Sequence, residues 1–344
     1  MNKYNTVFLA LISLLSVSCS KKAADLKVLQ LNVWMQATML PNAPQGVIDI
    51  IDQTDPDVVF LCELNAGTEP PFTHYLSEEL RSRGKNYYAD THHAGNGILS
   101  KYELVNDSEP NLNLKYAVKS SIKVNNRTVI LYSAHLDAGN YAAYLTRGYN
   151  PSAWSVKLET PVTDTDSIQK YSRLSKRNEG IEAVIADAKT EISKGHIVLI
   201  GGDFNEPSHL DWQADTKDLR DHRGVTFNWE VSTMLQQAGY TDSYRSLYLD
   251  VVTHPAITWP AGNKDAKLER LYYAPEADEQ DRIDFVYYYP QAGVTVTDAC
   301  LVGPKATINH GQMVTDDTQD NILEPTGIWP SDHKGNLVTL VINR

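Results

Sequence analysis

The chain has 344 residues, of which 42% are hydrophobic and 22% charged, so it can bury a large core and is neither a disordered nor a fibrous sequence. Its 31 basic and 43 acidic residues give a formal net charge of −12. That balance argues against long duplex nucleic acid as the partner, because a protein that neutralises many phosphates carries a basic face.

The N-terminus reads as an export signal: Lys3, an apolar run over 7–15 too short to span a bilayer, then Ser16, Val17, Ser18 and Cys19. Small residues ahead of a cysteine resemble a bacterial lipobox, which implies that Cys19 becomes the lipid-bearing first residue of the mature protein. An ordinary cleaved signal peptide or a signal anchor is the alternative. The expected organisation is a signal over 1–18, a tether over 19–26 and one domain over 27–344, in a membrane-anchored bacterial lipoprotein facing the periplasm or the cell surface.

Alternation over 26–34 predicts a strand that delivers Asn32, and the spacing of Val47, Ile48, Ile50 and Ile51 predicts a helix that Asp55-Pro56 breaks. A continuous apolar run over 57–61 predicts a buried strand ending near Glu63. Cys62 in that run reads as a buried free thiol, with a bridge to Cys300 left open. A helix is expected over 75–83, His92 and His93 read as a solvated loop, and 97–101 reads as a glycine turn into a short strand. Strands over 118–124 and 128–133 flank Asn125-Asn126, a hairpin signal, and the second leads to His135.

Residues 139–169 lack periodicity and read as a long surface insertion, followed by an amphipathic helix over 171–192. The run from Ile197 to Ile200 is a buried strand that breaks at Gly201-Gly202 and continues as Asp203-Phe204-Asn205. A spacing of two on an extended backbone would point Asp203 and Asn205 to the same side. A helix is expected over 232–238, a charged surface excursion over 262–280, and strands over 282–288, 295–302 and 337–342. Asp284 opens the first of these three, and Ser331-Asp332-His333 precedes the last. Polar groups thus emerge at one strand end after another, and a carboxylate beside an imidazole offers a metal ligand, a general base, or both.

Asn32, Glu63, Gly97 to Lys101, Ser133-Ala134-His135-Leu136, Gly202-Asp203-Phe204-Asn205, Asp242 with Arg245, Thr258-Trp259, Arg282-Ile283-Asp284-Phe285 and Ser331-Asp332-His333 resemble, in order, the motifs of the endonuclease/exonuclease/phosphatase family. The resemblance implies an α/β (α+β) fold, a four-layer α/β/β/α sandwich of two packed mixed β-sheets with outer helices. It implies a divalent-metal phosphoesterase cleaving a phosphodiester or phosphomonoester. Glu63, Asn32 and Asp332 would hold Mg²⁺ or Mn²⁺ through oxygen. His333 would take a proton from the attacking water while Asp284 orients it. Asp203 and Asn205 would position the water and a phosphate oxygen, and His135 would bind phosphate or protonate the leaving oxygen. The expected substrate is a small or lipid-linked phosphoester met by a monomer. A secreted nuclease and a catalytically silent binding protein are the alternatives. Two further expectations concern neighbours of these motifs: His209 or Trp212 could line the substrate pocket, and Lys334-Gly335 is an unusual start for the last strand.

Overall fold

The computed structural model describes residues 23–65, 69–90, 95–105 and 114–344. The signal over 1–18, the lipid-bearing Cys19 and the His92-His93 loop therefore lie outside the described residues. In chain order the strands are β1 (Ala24–Asn32), β2 (Val58–Cys62), β3 (Tyr88–Ala89), β4 (Asn96–Ser100), β5 (Ala117–Val124), β6 (Arg127–His135), β7 (Ile197–Asp203), β8 (Thr241–Asp242), β9 (Asp284–Tyr288), β10 (Val294–Val302), β11 (Ala306–Asn309), β12 (Gln312–Thr315), β13 (Ile322–Leu323) and β14 (Gly335–Ile342). β1 begins at Ala24 and pairs with β14 from there, so Ala24 to Leu26 belong to a strand and not to a tether.

Two mixed sheets carry the frame, ordered β13-β10-β14-β1-β2-β4-β3 and β5-β6-β7-β9-β8. The continuous apolar runs explain the layering. Every position of β2 and of β7 is buried, as expected of strands covered on both faces. Leu26, Val28, Val58, Phe60, Leu131 and Leu199 pack together between the sheets. On the far side of the larger sheet, Leu29, Val59 and Leu61 meet Val47, Ile48 and Ile51 of helix Ala43–Thr54 and Leu76 and Leu80 of helix Phe72–Ser82. On the far side of the smaller sheet, Ile130, Val198 and Ile200 meet Ile181 and Val184 of helix Arg177–Ser193 and Leu235 of helix Glu230–Gln237. This is the expected four-layer sandwich.

Several local expectations change. Helix 171–192 is two helices, Thr165–Ser172 and Arg177–Ser193, because the Lys176 N–H turns outward to donate to Asp137 Oδ2 at 2.7 Å. The insertion over 139–169 is surface only in part: Tyr141 to Leu145 are buried in a fourth apolar cluster with Trp212, Trp229 and Trp259, whereas most of 152–167 is exposed. Cys62 and Cys300 are both buried free thiols. Asn125 and Asn126 stand at φ 51° and 63°, the left-handed pair that a tight two-residue hairpin requires.

At the seam between β6 and β7 the chains approach so closely that a Cβ on Gly202 would lie 1.8 Å from the Ala134 carbonyl oxygen. Gly202→Ala should therefore destabilise by about 3 kcal/mol or more in urea unfolding. Gly195→Ala, at φ +80° with open space around it, should cost about 1 kcal/mol. Equal losses at the two sites would show that backbone conformation and not strand approach makes Gly202 necessary.

Candidate active site

The topology brings the polar strand ends to one rim. β1 and β2 run parallel, as do β6 and β7, so Asn32, Glu63, His135 and Asp203 emerge at the same edge of the two sheets. β9 is antiparallel to β7 and opposes Asp284 to Asp203 in register. β14 is antiparallel to β1, which puts the residues preceding it, Asp332 and His333, over the same rim.

Asp203 and Asp284 are both buried. Asp203 accepts from the Asn205 N–H at 2.8 Å and from Asn32 Nδ2 at 3.0 Å. Burial, reinforced by the charge of Asp284, raises its pKa to about 6. Asp284 accepts from Gln30 Nε2 at 2.9 Å and lies 2.9 Å from His333 Nδ1. Thr258 Oγ1 accepts from the Ile283 and Asp284 N–H groups and fixes where β9 starts. His333 Nε2 is then left facing Asp203 Oδ2 at 3.9 Å. Burial alone would lower the His333 pKa, but the charges of Asp284 and Asp203 outweigh it and hold it well above the ordinary histidine value.

The loop carrying His333 is itself held. Asn263 Nδ2 donates to the carbonyls of Trp329 and Ser331, Trp329 Nε1 donates to the His333 carbonyl, and the His333 N–H donates to Ser331 Oγ. Lys334, unexpected at a strand start, is wholly buried and donates to Asp316 at 3.0 Å. β14 begins immediately after it, at Gly335.

Glu63 faces this cluster from β2 at φ 61°. One of its oxygens accepts from Asn32 Nδ2 at 3.0 Å and the other from the Met35 N–H at 2.7 Å. The turn over Trp34–Ala37 has φ between 42° and 58° at all four residues, a left-handed turn that costs L-residues roughly 1–2 kcal/mol each. It is tied down by those Glu63 contacts, by Gln36 N–H to the Glu63 carbonyl, and by Trp34 N–H to Asn32 Oδ1 at 2.9 Å. Because a backbone N–H can only donate, this last bond fixes the Asn32 amide with its nitrogen toward the carboxylates. Asn32 thus joins Glu63 to Asp203 as a donor, while its oxygen accepts from the Trp34 N–H with one lone pair to spare.

The residues present suit a hard cation. Glu63, His135 and Asp203 bring ligand atoms within 4.8 Å of one another, and so do Asp203, Asp284 and His333. Asp332 Oδ1 is buried without a hydrogen-bond partner, and burial raises that carboxyl to a pKa of about 7 with His333 opposing the shift. An unpaired buried carboxylate oxygen beside Glu63 is a donor set that Mg²⁺ or Mn²⁺ satisfies. His135 is half-buried, its Nε2 3.7 Å from Asp203 Oδ2. Asn205 reaches the site differently from the expectation: at φ 50° it leaves the extended line of β7, and its Nδ2 donates to the Leu136 carbonyl at 2.9 Å.

A cavity of about 350 Å³ opens beside these groups, with Glu63, Asn205, Asp332 and His333 at one end and Trp34, Tyr141, Trp259 and Tyr273 among its walls. Neither His209 nor Trp212 takes part. His209 is buried against Ser232 and Gln236, and Trp212 is stacked on His222 in the core. Asp242 and Arg245 are structural too, bound with Asp211 and Arg282 into a buried ion cluster. Sequence reasoning missed Gln30, whose signal was its place two residues before Asn32 on the same strand face. It also missed Asn336, which donates to Gln30 Oε1 at 3.0 Å.

Residues 29–333 match the sequence profile of the Endonuclease/Exonuclease/phosphatase family. A Caenorhabditis elegans protein described as uncharacterized is 28% identical over 284 residues, 80% of this chain and 83% of its own length. Among solved structures, D. rerio TDP2 complexed with a single-strand DNA product is similar at a TM-score of 0.51 and 17% identity, over 92% of this chain and 99% of that one. The human Nocturnin catalytic domain with bound sulfate is similar at a TM-score of 0.50 and 14% identity, over 94% and 98%. At those identities the likeness is one of fold, whereas the profile spans the rim residues from Asn32 to His333. With that match and this architecture, the chain belongs to the endonuclease/exonuclease/phosphatase family.

Proposed function

We propose that the protein is an exported, divalent-metal-dependent phosphoesterase that cleaves a phosphodiester or phosphomonoester by in-line attack of water. The observation that carries this reading is the His333–Asp284 pair at 2.9 Å beside the unpaired Asp332 oxygen and Glu63. An oriented imidazole thus adjoins carboxylate oxygens of the kind a hard cation takes.

Glu63 and Asp332 would hold the cation, which when bound supplies charge that polarises a phosphoryl oxygen and offsets the negative field of the carboxylates. His333 takes the proton of the attacking water at Nε2. Asp284 keeps Nδ1–H pointed at itself and stabilises the imidazolium that forms. Asp203 lies within reach of the same water and aligns it. Asn32 holds Asp203 and Glu63 at their separation, and Asn205 faces the phosphoryl group from the cavity wall. His135, at the outer edge, binds a phosphate oxygen or protonates the leaving oxygen. The export signal and lipid-bearing Cys19 belong to this proposal, and among the described residues no helix is long and apolar enough to cross a membrane. A secreted nuclease fits less well, since neither the net charge of −12 nor the cavity lining provides cations for a polyanion.

Hydrolysis of bis-(p-nitrophenyl) phosphate should require Mg²⁺ or Mn²⁺ and stop in EDTA. His333→Ala and Asp284→Asn should each lower kcat by about 10²- to 10⁴-fold. Turnover that survives EDTA, or a fully active His333→Ala enzyme, would sink the mechanism.

The pKa shifts set a second expectation. Asp332, Asp203 and His333 are all raised, so the metal-free folded state binds more protons at this site than the unfolded chain does. The site's stabilisation is therefore fullest at acid pH and is lost as pH rises through about 6 to 7 and beyond. In thermal unfolding, Mg²⁺ or Mn²⁺ should raise Tm more at pH 8 than at pH 5.5, and Asp332→Asn should shrink that difference. A cation effect independent of pH would count against Asp332 as a ligand.

A further inference from the structure

The cavity beside the rim has a composition that the phosphoryl chemistry does not require. Its charged lining residues, Glu63, Asp332 and His333, are those of the reaction site, and among the described residues no Lys or Arg lines it. The remaining walls are mainly rings, with Tyr141 and Trp259 deep and Trp154 and Tyr273 toward the mouth.

The polar tips of two of these rings are already used. The Tyr141 hydroxyl donates to Asp281 at 2.6 Å, and Trp154 Nε1 donates to the Pro151 carbonyl at 2.8 Å. Tyr273 remains 42% exposed, and its ring meets Trp154 edge-on at 4.8 Å and lies nearly parallel to Trp259 at 6.1 Å. The nearby cations have partners of their own, and those of Arg270 belong to the cavity wall. Arg147 is buried with Asp281 at 2.6 Å, and Arg270 lies over Trp34 at 5.5 Å while donating to the Met39 carbonyl.

Resting on the phosphoesterase reading, the geometry points to a substrate class: esters of a single phosphate whose alcohol arm carries an uncharged aromatic or similarly planar apolar group. That arm packs among Tyr141, Trp154, Trp259 and Tyr273 while the phosphate sits at Glu63, Asp332 and His333. Trp154 and Tyr273 select the arm, and the rim residues act on the phosphate.

The test separates arm recognition from turnover by measuring, with Mg²⁺ present, calorimetric binding of non-hydrolysable phosphonates. 2-Phenylethylphosphonate should bind about 10- to 100-fold more tightly than ethylphosphonate. Adding a phosphate at the para position of the ring should remove that advantage. Trp154→Ala and Tyr273→Ala should each bring the phenylethyl-to-ethyl ratio toward one, and a ratio is insensitive to partial loss of folded protein. Equal or undetectable binding of the two phosphonates overturns the proposal. So does tighter binding of the phosphorylated arm or of a trimethylammonioethyl arm, or a ratio unchanged in both variants. Hydrolysis of methyl 2-phenylethyl phosphate and of methyl ethyl phosphate is then followed in parallel. Selective phosphonate binding without metal-dependent turnover of either ester would fail the phosphoesterase reading and leave the subsite standing. Turnover of both esters at equal efficiency, with no phosphonate preference, would do the reverse.

Discussion

Two carboxylates facing each other across one β ladder and closed off from water set the terms for the site. Asp203 and Asp284 are opposed in register, and burial together with the charge of Asp284 raises the Asp203 pKa to about 6. The surrounding polar groups answer that repulsion. Gln30 and Asn32 donate from β1, the Asn205 N–H from the end of β7, Thr258 fixes the backbone beneath Asp284, and His333 and His135 bring rings that can carry positive charge. Asn336 in turn orients Gln30. The network is buried, so leaving one member unpaired costs more than its hydrogen bond contributes.

The same negative field raises the His333 pKa and adds to burial at Asp332. Burial pushes the Asp332 carboxyl to about 7, yet one of its oxygens finds no donor. Some structural carboxylates elsewhere among the described residues are met by full ion pairs. Asp211 and Asp242 are matched by Arg245 and Arg282, and Asp281 by Arg147. The protein thus supplies internal cations where charge is structural and withholds them at the rim.

The frame was legible because its signals are local. Continuous apolar runs marked β2 and β7, alternation marked β1, and Asn125-Asn126 marked its hairpin. The rim residues could be located as polar groups at strand exits, and the family resemblance joined them. What was not legible depended on long-range packing. The stretch 139–169 is rich in Tyr, Thr and Pro and has no period, so it read as surface. Its Tyr141 and Tyr144 are buried only because Asp281 and Glu279, more than a hundred residues on, accept their hydroxyl protons. The opposite error befell Asn205, whose side chain was placed by assuming an extended backbone when its φ is positive. At Asn32 residue type suggested a ligand oxygen but could not show that this oxygen accepts a backbone N–H two residues away, or that the amide nitrogen joins Glu63 to Asp203.

Frame and wall therefore answer to different constraints. The rim is delivered by strands in register, so shifting any one by a residue would turn its catalytic side chain to the other face. The aromatic wall is built by two non-strand segments clamped through Asp281, which accepts from Arg147 and Tyr141 while its backbone bridges to Trp259. A wall fastened at one buried ion pair can change its ring content without disturbing the ladders that hold Asp203 opposite Asp284. Substrate choice in this chain is thus separable from phosphoryl chemistry, because different covalent segments carry them and Asp281, three residues from Asp284, is where the two meet.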